Sequence, residues 1–339
     1  MTISIGVIGA GTFGTALAKL LGDRGYDIRL WVFEADLCER MQKTGVNDVY
    51  LPEVTLPKNV RATNDLREAI GDRDLLLSVM PSHVVRSVMS RVAPLLDRPV
   101  PIVSATKGIE NDTLMLMSEV LEEVLPEGYR DHLAYISGPS FAKEISKGLP
   151  TAVSVASFNP ELSRRVQEMF SSTIFRCYTN PDVVGVELGG AVKNVIAIAV
   201  GIADGMGLGQ SARAALITRG LAEITRLAVR KGADPLTFLG LSGVGDLVLT
   251  CCGDLSRNRT VGLALGRGKT LSQVLSEMKM VAEGVKTTKA AYDMAKKMNV
   301  DCPIIEQTYA MLYENKPAPD AFRDVMSRTL KSEVESERI

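Results

Sequence analysis

The feature of this sequence that most constrains its fold is a glycine pattern close to the N-terminus. An apolar run at 3–8 (ISIGVI) is followed by GAGTFG at 9–14, and a helical pattern comes directly after it. In such a G-x-G-x-x-G motif Gly9 permits a tight turn, Gly11 lets the backbone approach a pyrophosphate, and Gly14 allows the helix to pack closely on the strand. The strand–turn–helix context predicts a Rossmann-type dinucleotide-binding fold.

Strand and helix patterns alternate over the first half of the chain. Strand-like runs occur at 27–33, 73–80, 101–106, 133–138, 151–157 and 174–179. Helical patterns occur at 82–96, 112–124 and 160–171. This alternation predicts an α/β fold with a mostly parallel, doubly wound sheet and helices on both faces.

The pattern of predicted elements changes at Asn180-Pro181, a dipeptide that typically interrupts regular secondary structure. Helical patterns then cover 181–206, 211–232, 284–298 and 303–315, with shorter ones near 234–240, 244–252, 257–266 and 271–278. A chain of 339 residues also exceeds the usual size of one compact core. We therefore predict a Rossmann-type dinucleotide-binding domain over 1–180 and an all-helical substrate and catalytic domain over 181–339.

Composition excludes several classes of protein. A net charge of −1 with scattered basic residues argues against a nucleic-acid partner. The five cysteines are odd in number and show no C-x-x-C spacing, which favours reduced thiols in the cytoplasm and no metal site. The most apolar stretch, 191–203, contains Lys193 and Asn194, so we interpret it as a buried helix and predict no integral membrane segment.

An acidic residue follows the second predicted strand. Glu34 lies 20 residues beyond Gly14. A carboxylate at this position binds the ribose hydroxyls of NAD and repels the 2′-phosphate of NADP. The sequence therefore favours NAD over NADP, although a solvated acid at a helix start would give the same pattern.

A lysine in the longest apolar helix pattern is the strongest candidate for catalysis. Lys193 lies within GVELGGAVKNVIAIAVGIADGMG (185–207). Burial of a lysine disfavours the ammonium form and brings its pKa toward neutrality, where it can exchange a proton with a substrate hydroxyl. The two histidines, His83 and His132, lie outside the helical half. The alternative is a lysine that snorkels to solvent from a core helix.

Other polar residues occur where ligands are expected. Lys107 in SATKGIE and Ser140 in SGPSFAKE follow strands, and the carboxyl ends of the strands line the ligand crevice of a doubly wound sheet. Asp246 stands in the apolar stretch SGVGDLVLTC and needs a buried partner such as Lys193.

A phosphate site is predicted at the start of another helix. Ser256 is a helix N-cap candidate followed by Arg257, Asn258 and Arg259. Free amides and guanidinium groups at a helix N-terminus suit a phosphate. A capped turn with solvated arginines is the alternative interpretation.

Seven segments together carry a family resemblance. They are GAGTFG, SATKGIE, SGPSFAKE, ELGGAVKNVIAIAVGIADG, SGVGDLVLTC, SRNR and VAEGVKTT, in this order. Over roughly 1–320 the chain resembles the NAD(P)-dependent glycerol-3-phosphate dehydrogenases of the bacterial type. The resemblance implies an enzyme that interconverts sn-glycerol 3-phosphate and dihydroxyacetone phosphate by hydride transfer with NAD(P)(H), supplying phospholipid synthesis. It is also compatible with a homodimer.

The resemblance implies roles for individual residues, with Lys193 as the catalytic proton donor and acceptor. The implied substrate contacts are Lys107, Gly138, Ser140, Lys193, Asp246, Ser256, Arg257 and Asn258. The expected cofactor contacts are Gly9, Gly11, Thr12, Phe13, Gly14, Phe33, Glu34, Lys107, Ala142, Arg257, Val281 and Glu283.

The chain departs from the family pattern at two places. Phe13 stands where many relatives have tryptophan, which keeps an aromatic ring. Relatives often have a basic residue after the Trp-x of the second strand, whereas this chain reads Trp31-Val32-Phe33-Glu34. This second departure agrees with a preference for NAD.

Two other functions fit parts of the pattern. Hydroxyacid dehydrogenases of the 6-phosphogluconate or 3-hydroxyisobutyrate type share the two-domain plan and a lysine on the long helix, but the Ser-Arg-Asn cluster argues against them. A non-catalytic NAD-sensing module has no need of a buried lysine, which is costly to desolvate.

Overall fold

The computed structural model describes residues 2–278, 282–330 and 332–333. The chain divides into two compact units. The α/β unit comprises Met1–Glu110 and Met115–Glu187, and the helical unit comprises Asn111–Leu114 and Leu188–Ile339. The domain boundary predicted at residue 180 precedes this division.

The α/β unit contains one large sheet and one small one. Its strands are β1 Ser4–Ile8, β2 Asp27–Trp31, β3 Val46–Asn47, β4 Leu51–Thr55, β5 Val60–Thr63, β6 Leu75–Ser78, β7 Ile102–Ser104, β8 Leu133–Ser137, β9 Thr151–Ala156 and β10 Phe175–Asn180. Eight of them form a sheet in the order β10-β9-β8-β7-β6-β1-β2-β5, in which only the β8–β9 pair is antiparallel. Strands β3 and β4 pair antiparallel beside it.

Helices cover both faces of the large sheet. They are α1 Thr12–Asp23, α2 Ala35–Thr44, α3 Leu66–Ile70, α4 Ser82–Val92, α5 Met117–Val124, α6 Ala142–Ser146 and α7 Pro160–Phe170. Successive strand residues face opposite sides, so Leu77 belongs to one core and Leu76 to the other. The predicted α/β fold with a doubly wound sheet is confirmed.

The helical unit begins inside a long helix that starts in the α/β unit. Its helices are α8 Val183–Gly205, α9 Gly209–Arg230, α10 Asp246–Cys252, α11 Arg257–Gly266, α12 Leu271–Glu277, α13 Glu283–Met298, α14 Pro303–Tyr313 and α15 Ala318–Met326. A 3₁₀ segment, Pro235–Leu239, and a π-type turn, Leu241–Gly245, precede α10. By length and apolarity α8 alone among the described helices could cross a membrane, but 94% of its most apolar window is buried inside the protein. It is therefore a core helix, as the sequence predicts.

Four glycines bring the backbones of α8 and α11 into close contact. Gly201 and Gly205 on α8 face Gly262 and Gly266 on α11. A Cβ atom built on Gly262 would lie 2.1 Å from the carbonyl oxygen of Ile198, and one on Gly266 would lie 2.2 Å from the carbonyl oxygen of Ile202. We call these four residues the glycine seam. It was not predicted from the sequence.

The structure differs from the sequence interpretation between the glycine turn and residue 125. The helix predicted over 112–124 begins only at Met117, because Ile109 and Leu116 pair in an antiparallel bridge and Leu114 has a positive φ of 60°. The stretch 35–70, for which no element was predicted, forms α2, β3, β4, β5 and α3. These elements are short and polar, so their periodicity is weak.

Candidate active site

The turn after β1 has the geometry of a dinucleotide site. Gly9 has a φ of 115°, and a Cβ atom there would lie 2.4 Å from the carbonyl oxygen of Val79. A Cβ atom on Gly14 would lie 1.9 Å from the carbonyl oxygen of Gly9, whereas one on Gly11 would meet no atom of the described residues within 4 Å. Gly9 and Gly14 are thus required by the fold, and Gly11 leaves open space at the N-terminus of α1. This space at the N-terminus of a helix fits a pyrophosphate.

Several predicted contacts lie together in the α/β unit. The Lys107 amine donates to the carbonyl oxygen of Gly138 at 3.0 Å and lies 5.9 Å from the ring centroid of Phe13. The Ser140 hydroxyl donates to the same carbonyl oxygen at 2.8 Å. Gly138 has a φ of 146°, a conformation that favours glycine. The structure therefore brings Phe13, Lys107, Gly138 and Ser140 into one cluster.

Two further predicted cofactor residues begin helices. Thr12 is the first residue of α1, and Ala142 is the first residue of α6. The two helices pack against each other. Ala142 is partly buried and contacts the core on that side of the sheet, as Phe13 does.

The acidic residue after β2 has an unexpected partner. Glu34 occupies the N-cap position of α2 but makes no side-chain capping bond to this helix in the described chain. Its carboxylate instead accepts a hydrogen bond of 2.8 Å from the hydroxyl of Tyr50. Phe33 beside it is 70% exposed, with its ring packed edge-on against Trp31. Tyr50 was not predicted, and no local pattern signals its contact with a residue 16 positions away.

Lys193 is buried and paired. It is 6% exposed, and its amine forms an ion pair with the carboxylate of Asp246, which is 1% exposed. The amine also donates to the Thr250 hydroxyl at 2.9 Å, and this hydroxyl donates to the Asp246 carbonyl oxygen at 2.7 Å. The pairing of Lys193 with Asp246 thus occurs as predicted from the sequence, and the amine does not snorkel to solvent. The carboxylate stabilises the ammonium form and so opposes the effect of burial.

Thr250 was missed, although a signal for it exists. It lies four residues after Asp246 on α10, so both side chains share one helix face. Asp246 itself is placed by close backbone packing, because a Cβ atom on Gly189 would lie 2.3 Å from the carbonyl oxygen of Ser242 in the π-type turn. Gly189 lies one helical turn before Lys193 on α8, so this approach sets the ion pair.

The predicted phosphate cluster starts α11. The Ser256 hydroxyl caps this helix by accepting from the Arg259 amide at 3.2 Å. The Asn258 side chain donates to the Asn194 side-chain oxygen at 2.8 Å and accepts from the Gly284 amide at 2.9 Å. Asn258 therefore links α8, α11 and α13. Asn194, also missed, adjoins Lys193 in the sequence.

The two arginines of the cluster differ in their surroundings. Arg259 forms ion pairs of 3.0 Å with both Asp204 and Asp254, and Asp204 also pairs with Arg213 at 2.8 Å. Arg257 is exposed at the first position of α11. Arg259 is thus engaged in the fold, while Arg257 is accessible to an anionic ligand.

Two predicted cofactor contacts, Val281 and Glu283, remain. Glu283 is its first residue and is partly buried. Val281 lies outside the described residues. No group of three or more metal-ligating side chains occurs within residues 2–278 and 282–330.

Comparison with known proteins covers both units. The family model described as "NAD-dependent glycerol-3-phosphate dehydrogenase N-terminus" matches residues 4–163, and the one described as its C-terminus matches residues 182–323. The glycerol-3-phosphate dehydrogenase [NAD(P)+] of Syntrophotalea carbinolica is 56% identical over 98% of this chain and 100% of its own length. That of Leptospira biflexa is 52% identical over 98% of this chain and 99% of its own.

A solved structure gives the same result. The crystal structure of glycerol-3-phosphate dehydrogenase from Coxiella burnetii superposes with a TM-score of 0.92 at 40% identity, covering 96% of this chain and 99% of that one. Matched family models over both units, together with relatives of full length at more than half identity, leave one assignment. The chain belongs to the NAD-dependent glycerol-3-phosphate dehydrogenase family.

Proposed function

We propose that this protein reversibly transfers a hydride between NAD(P)H and dihydroxyacetone phosphate, giving sn-glycerol 3-phosphate for phospholipid synthesis. The observation that carries the proposal is the buried Lys193–Asp246 ion pair with Thr250 beside it. Two buried charges are expensive to desolvate, and stability alone is a weak reason to keep them. A positioned amine is, however, what reduction of a ketone requires, since the carbonyl oxygen must gain a proton.

The proposed chemistry assigns the proton to the helical unit. Lys193 donates a hydrogen bond to the reacting oxygen, gives it a proton on reduction and takes one back on oxidation. Asp246 and Thr250 hold the amine in place and stabilise its charged form. Because these groups are fixed before the reaction, they need little reorganisation as negative charge develops on the substrate oxygen.

The proposed phosphate contacts follow the start of α11. Arg257 is accessible there, and Asn258 is held from both sides by Asn194 and Gly284. A dianionic phosphate is stabilised by a guanidinium group and by the partial positive charge of a helix N-terminus. Ser256 caps this helix and is also a proposed substrate contact, and Asp246 belongs to the substrate site through its ion pair with Lys193.

Most of the proposed cofactor contacts are in the α/β unit, whereas Arg257, Val281 and Glu283 belong to the helical unit. When bound, the nicotinamide ring supplies or accepts the hydride. The turn formed by Gly9, Gly11 and Gly14 holds the pyrophosphate, and Glu34 holds the adenosine ribose, which favours NAD over NADP. Lys107, together with the remaining predicted contacts Thr12, Phe13, Phe33, Gly138, Ser140, Ala142, Val281 and Glu283, completes the two sites.

An activity panel tests the reaction and the substrate together. Dihydroxyacetone phosphate, 6-phosphogluconate and 3-hydroxyisobutyrate are each assayed with both forms of the nicotinamide cofactor, followed at 340 nm. We expect turnover with dihydroxyacetone phosphate and a higher kcat/KM with NADH than with NADPH. Turnover with the hydroxyacids alone, or none with any of the three, would contradict the proposal.

Replacement of the lysine tests the proton-transfer role. We expect Lys193→Met to lower kcat by roughly 10²–10⁴, the range for loss of a positioned acid and base, with an unchanged far-UV circular dichroism spectrum. Lys289→Met is the matched control, because Lys289 is an exposed residue of α13 paired with Asp293 at 2.6 Å. Near-normal turnover of Lys193→Met would remove Lys193 from the mechanism.

The cellular location and the oligomeric state of the protein also belong to the proposal. The five cysteines carry free thiols in the structure, which supports a cytoplasmic location. The resemblance to the family suggests a homodimer or a mixture of monomer and dimer. Light scattering coupled to gel filtration, giving the mass of the particle in solution against 36.6 kDa per chain, tests that expectation.

A further inference from the structure

A tyrosine from the small sheet holds the carboxylate at the end of β2. The Tyr50 hydroxyl donates a hydrogen bond of 2.8 Å to an oxygen of Glu34. Partial burial and the nearby Glu34 carboxylate raise the pKa of Tyr50 above its ordinary value, so its hydroxyl remains a donor at neutral pH. A carboxylate has about four acceptor positions, so one bond to Tyr50 leaves others for a ribose hydroxyl.

Tyr50 is in turn anchored to the glycine turn. Asn47 is fully buried, and its side-chain amide donates to the Ala10 carbonyl oxygen and to the Thr15 hydroxyl, each at 2.8 Å. The Asn47 side-chain oxygen accepts from the backbone amide of Tyr50 at 3.0 Å. Ala10 lies within the G-x-G-x-x-G motif. Hydrogen bonds on the backbone amide and on the side-chain hydroxyl of Tyr50 therefore link the glycine turn to the carboxylate through this one residue.

This path has a consequence for cofactor choice. A glutamate side chain is long and flexible, and an unrestrained carboxylate can turn away from a 2′-phosphate at little cost. A carboxylate fixed by a hydrogen bond cannot do so without breaking that bond. It also needs less ordering when it binds a ribose hydroxyl. Restraint of Glu34 should therefore favour NADH and disfavour NADPH.

We propose that Tyr50 is a positioning residue for cofactor specificity, which orients the Glu34 carboxylate toward the ribose of NAD and against a 2′-phosphate. The inference rests on the proposed function, since it presupposes that the glycine turn binds a dinucleotide. The alternative is that the bond only ties the small sheet to β2. Under that alternative, loss of the hydrogen bond changes the stability of the protein and leaves the ratio of the NADH and NADPH affinities unchanged.

The test is Tyr50→Phe, which removes the hydroxyl and keeps the ring. Dissociation constants of NADH and NADPH are measured by isothermal titration calorimetry, alongside kcat/KM for each cofactor. We expect the preference for NADH over NADPH to fall about tenfold, the scale of one hydrogen bond to a charged group. Tyr178→Phe is the matched control, because Tyr178 lies on β10 and is 48% exposed, and it should change neither constant.

Glu34→Gln separates the inference from the proposed function. If Tyr50→Phe and Glu34→Gln each lower the preference for NADH, and Tyr50→Phe has no further effect in the Glu34→Gln background, Tyr50 acts through Glu34 as proposed. If Glu34→Gln lowers the preference while Tyr50→Phe alone leaves it unchanged, the inference is wrong and the proposed function stands. If the unmodified protein binds neither cofactor, both are wrong.

Discussion

The glycine turn of the α/β unit and the glycine seam of the helical unit use one residue type for different purposes. In the turn, Gly11 keeps a space open, since a Cβ atom there would meet nothing within 4 Å. In the seam, Gly262 keeps two helices in contact, since a Cβ atom would lie 2.1 Å from a backbone oxygen. We propose that the first glycine is required by a ligand, whereas the second is required by the packing of the protein itself.

The two regions also differ in how far apart their partners lie in the sequence. The turn joins consecutive elements, β1 and α1, so that its purpose can be recognised from six residues. The seam joins α8 to α11, and neither the spacing Gly201-x₃-Gly205 nor Gly262-x₃-Gly266 indicates its partner. Contacts between consecutive elements can therefore be predicted from the sequence, whereas contacts between distant segments cannot.

The largest expected effect is a loss of stability when a residue of the glycine seam is replaced. Gly262→Ala forces a methyl group against the backbone of Ile198, 2.1 Å away, and of Gly201, 2.8 Å away. Neither contact can be relieved by a side-chain rotation, so we expect a loss of about 3 kcal/mol in the free energy of unfolding, the upper part of the range for overpacking. Urea denaturation followed by far-UV circular dichroism measures this loss.

Gly11→Ala is the matched control for that measurement. It adds the same methyl group where nothing lies within 4 Å, and alanine at an N-cap costs less than about 1 kcal/mol relative to glycine. The single tryptophan, Trp31, lies in the α/β unit, so its fluorescence follows that unit during the same titration. A Gly262→Ala protein as stable as the unmodified chain would mean that the seam has no structural role.

A second long-range contact in the helical unit should make the free energy of unfolding depend on pH. Glu223 on α9 is 2% exposed, and its carboxylate accepts from the amides of Ile304 and Ile305 at 2.8 and 3.1 Å, at the start of α14. Burial raises the pKa of Glu223 from 4.5 to about 7, although these two amides oppose the shift. The native carboxyl therefore holds a proton over a range of pH in which the unfolded chain has released it.

The sign of the pH effect follows from this difference. A raised pKa stabilises the native state fully below pH 4.5, and this contribution is lost as the pH rises through about 7. Between pH 5 and pH 8 it should fall by about 2 kcal/mol. Glu223→Gln removes the titrating group, so the difference in unfolding free energy between the unmodified and variant chains should shrink over this range.

Urea denaturation of both chains at pH 5 and pH 8 checks this expectation. Glu277→Gln, at an exposed residue of α12 paired with Lys269, is the control for loss of a carboxylate. If the curves of stability against pH run parallel for the unmodified chain and Glu223→Gln, Glu223 does not titrate with folding.

The same division explains what could be predicted from the sequence. The α/β fold with its helical second half follows from local periodicity, and the partnership of Lys193 with Asp246 follows from the need of a buried charge for a counter-charge. The family follows from the resemblance carried by seven motifs in order. Thr250 was within reach through its i, i+4 relation to Asp246. The contacts of Tyr50 and Glu223 could not be predicted. Their partners lie 16 and 81 residues away in the sequence, and only the fold brings them together.

The smallest effect, on ligand binding alone, distinguishes the two kinds of glycine most directly. Gly11→Ala leaves the fold intact but places a methyl group where the pyrophosphate should approach the backbone, so we expect the Kd for NADH to rise about tenfold, or about 1.4 kcal/mol. Calorimetric titration of NADH against Gly11→Ala and Gly262→Ala makes the comparison, the latter at a temperature where it is folded. Gly262→Ala should bind NADH normally when folded, because Gly262 is none of the proposed cofactor contacts and lies outside the unit that contains the glycine turn. If Gly11→Ala bound NADH as tightly as the unmodified chain, the open space above Gly11 would have no connection with a cofactor, and the distinction between the turn and the seam would be lost.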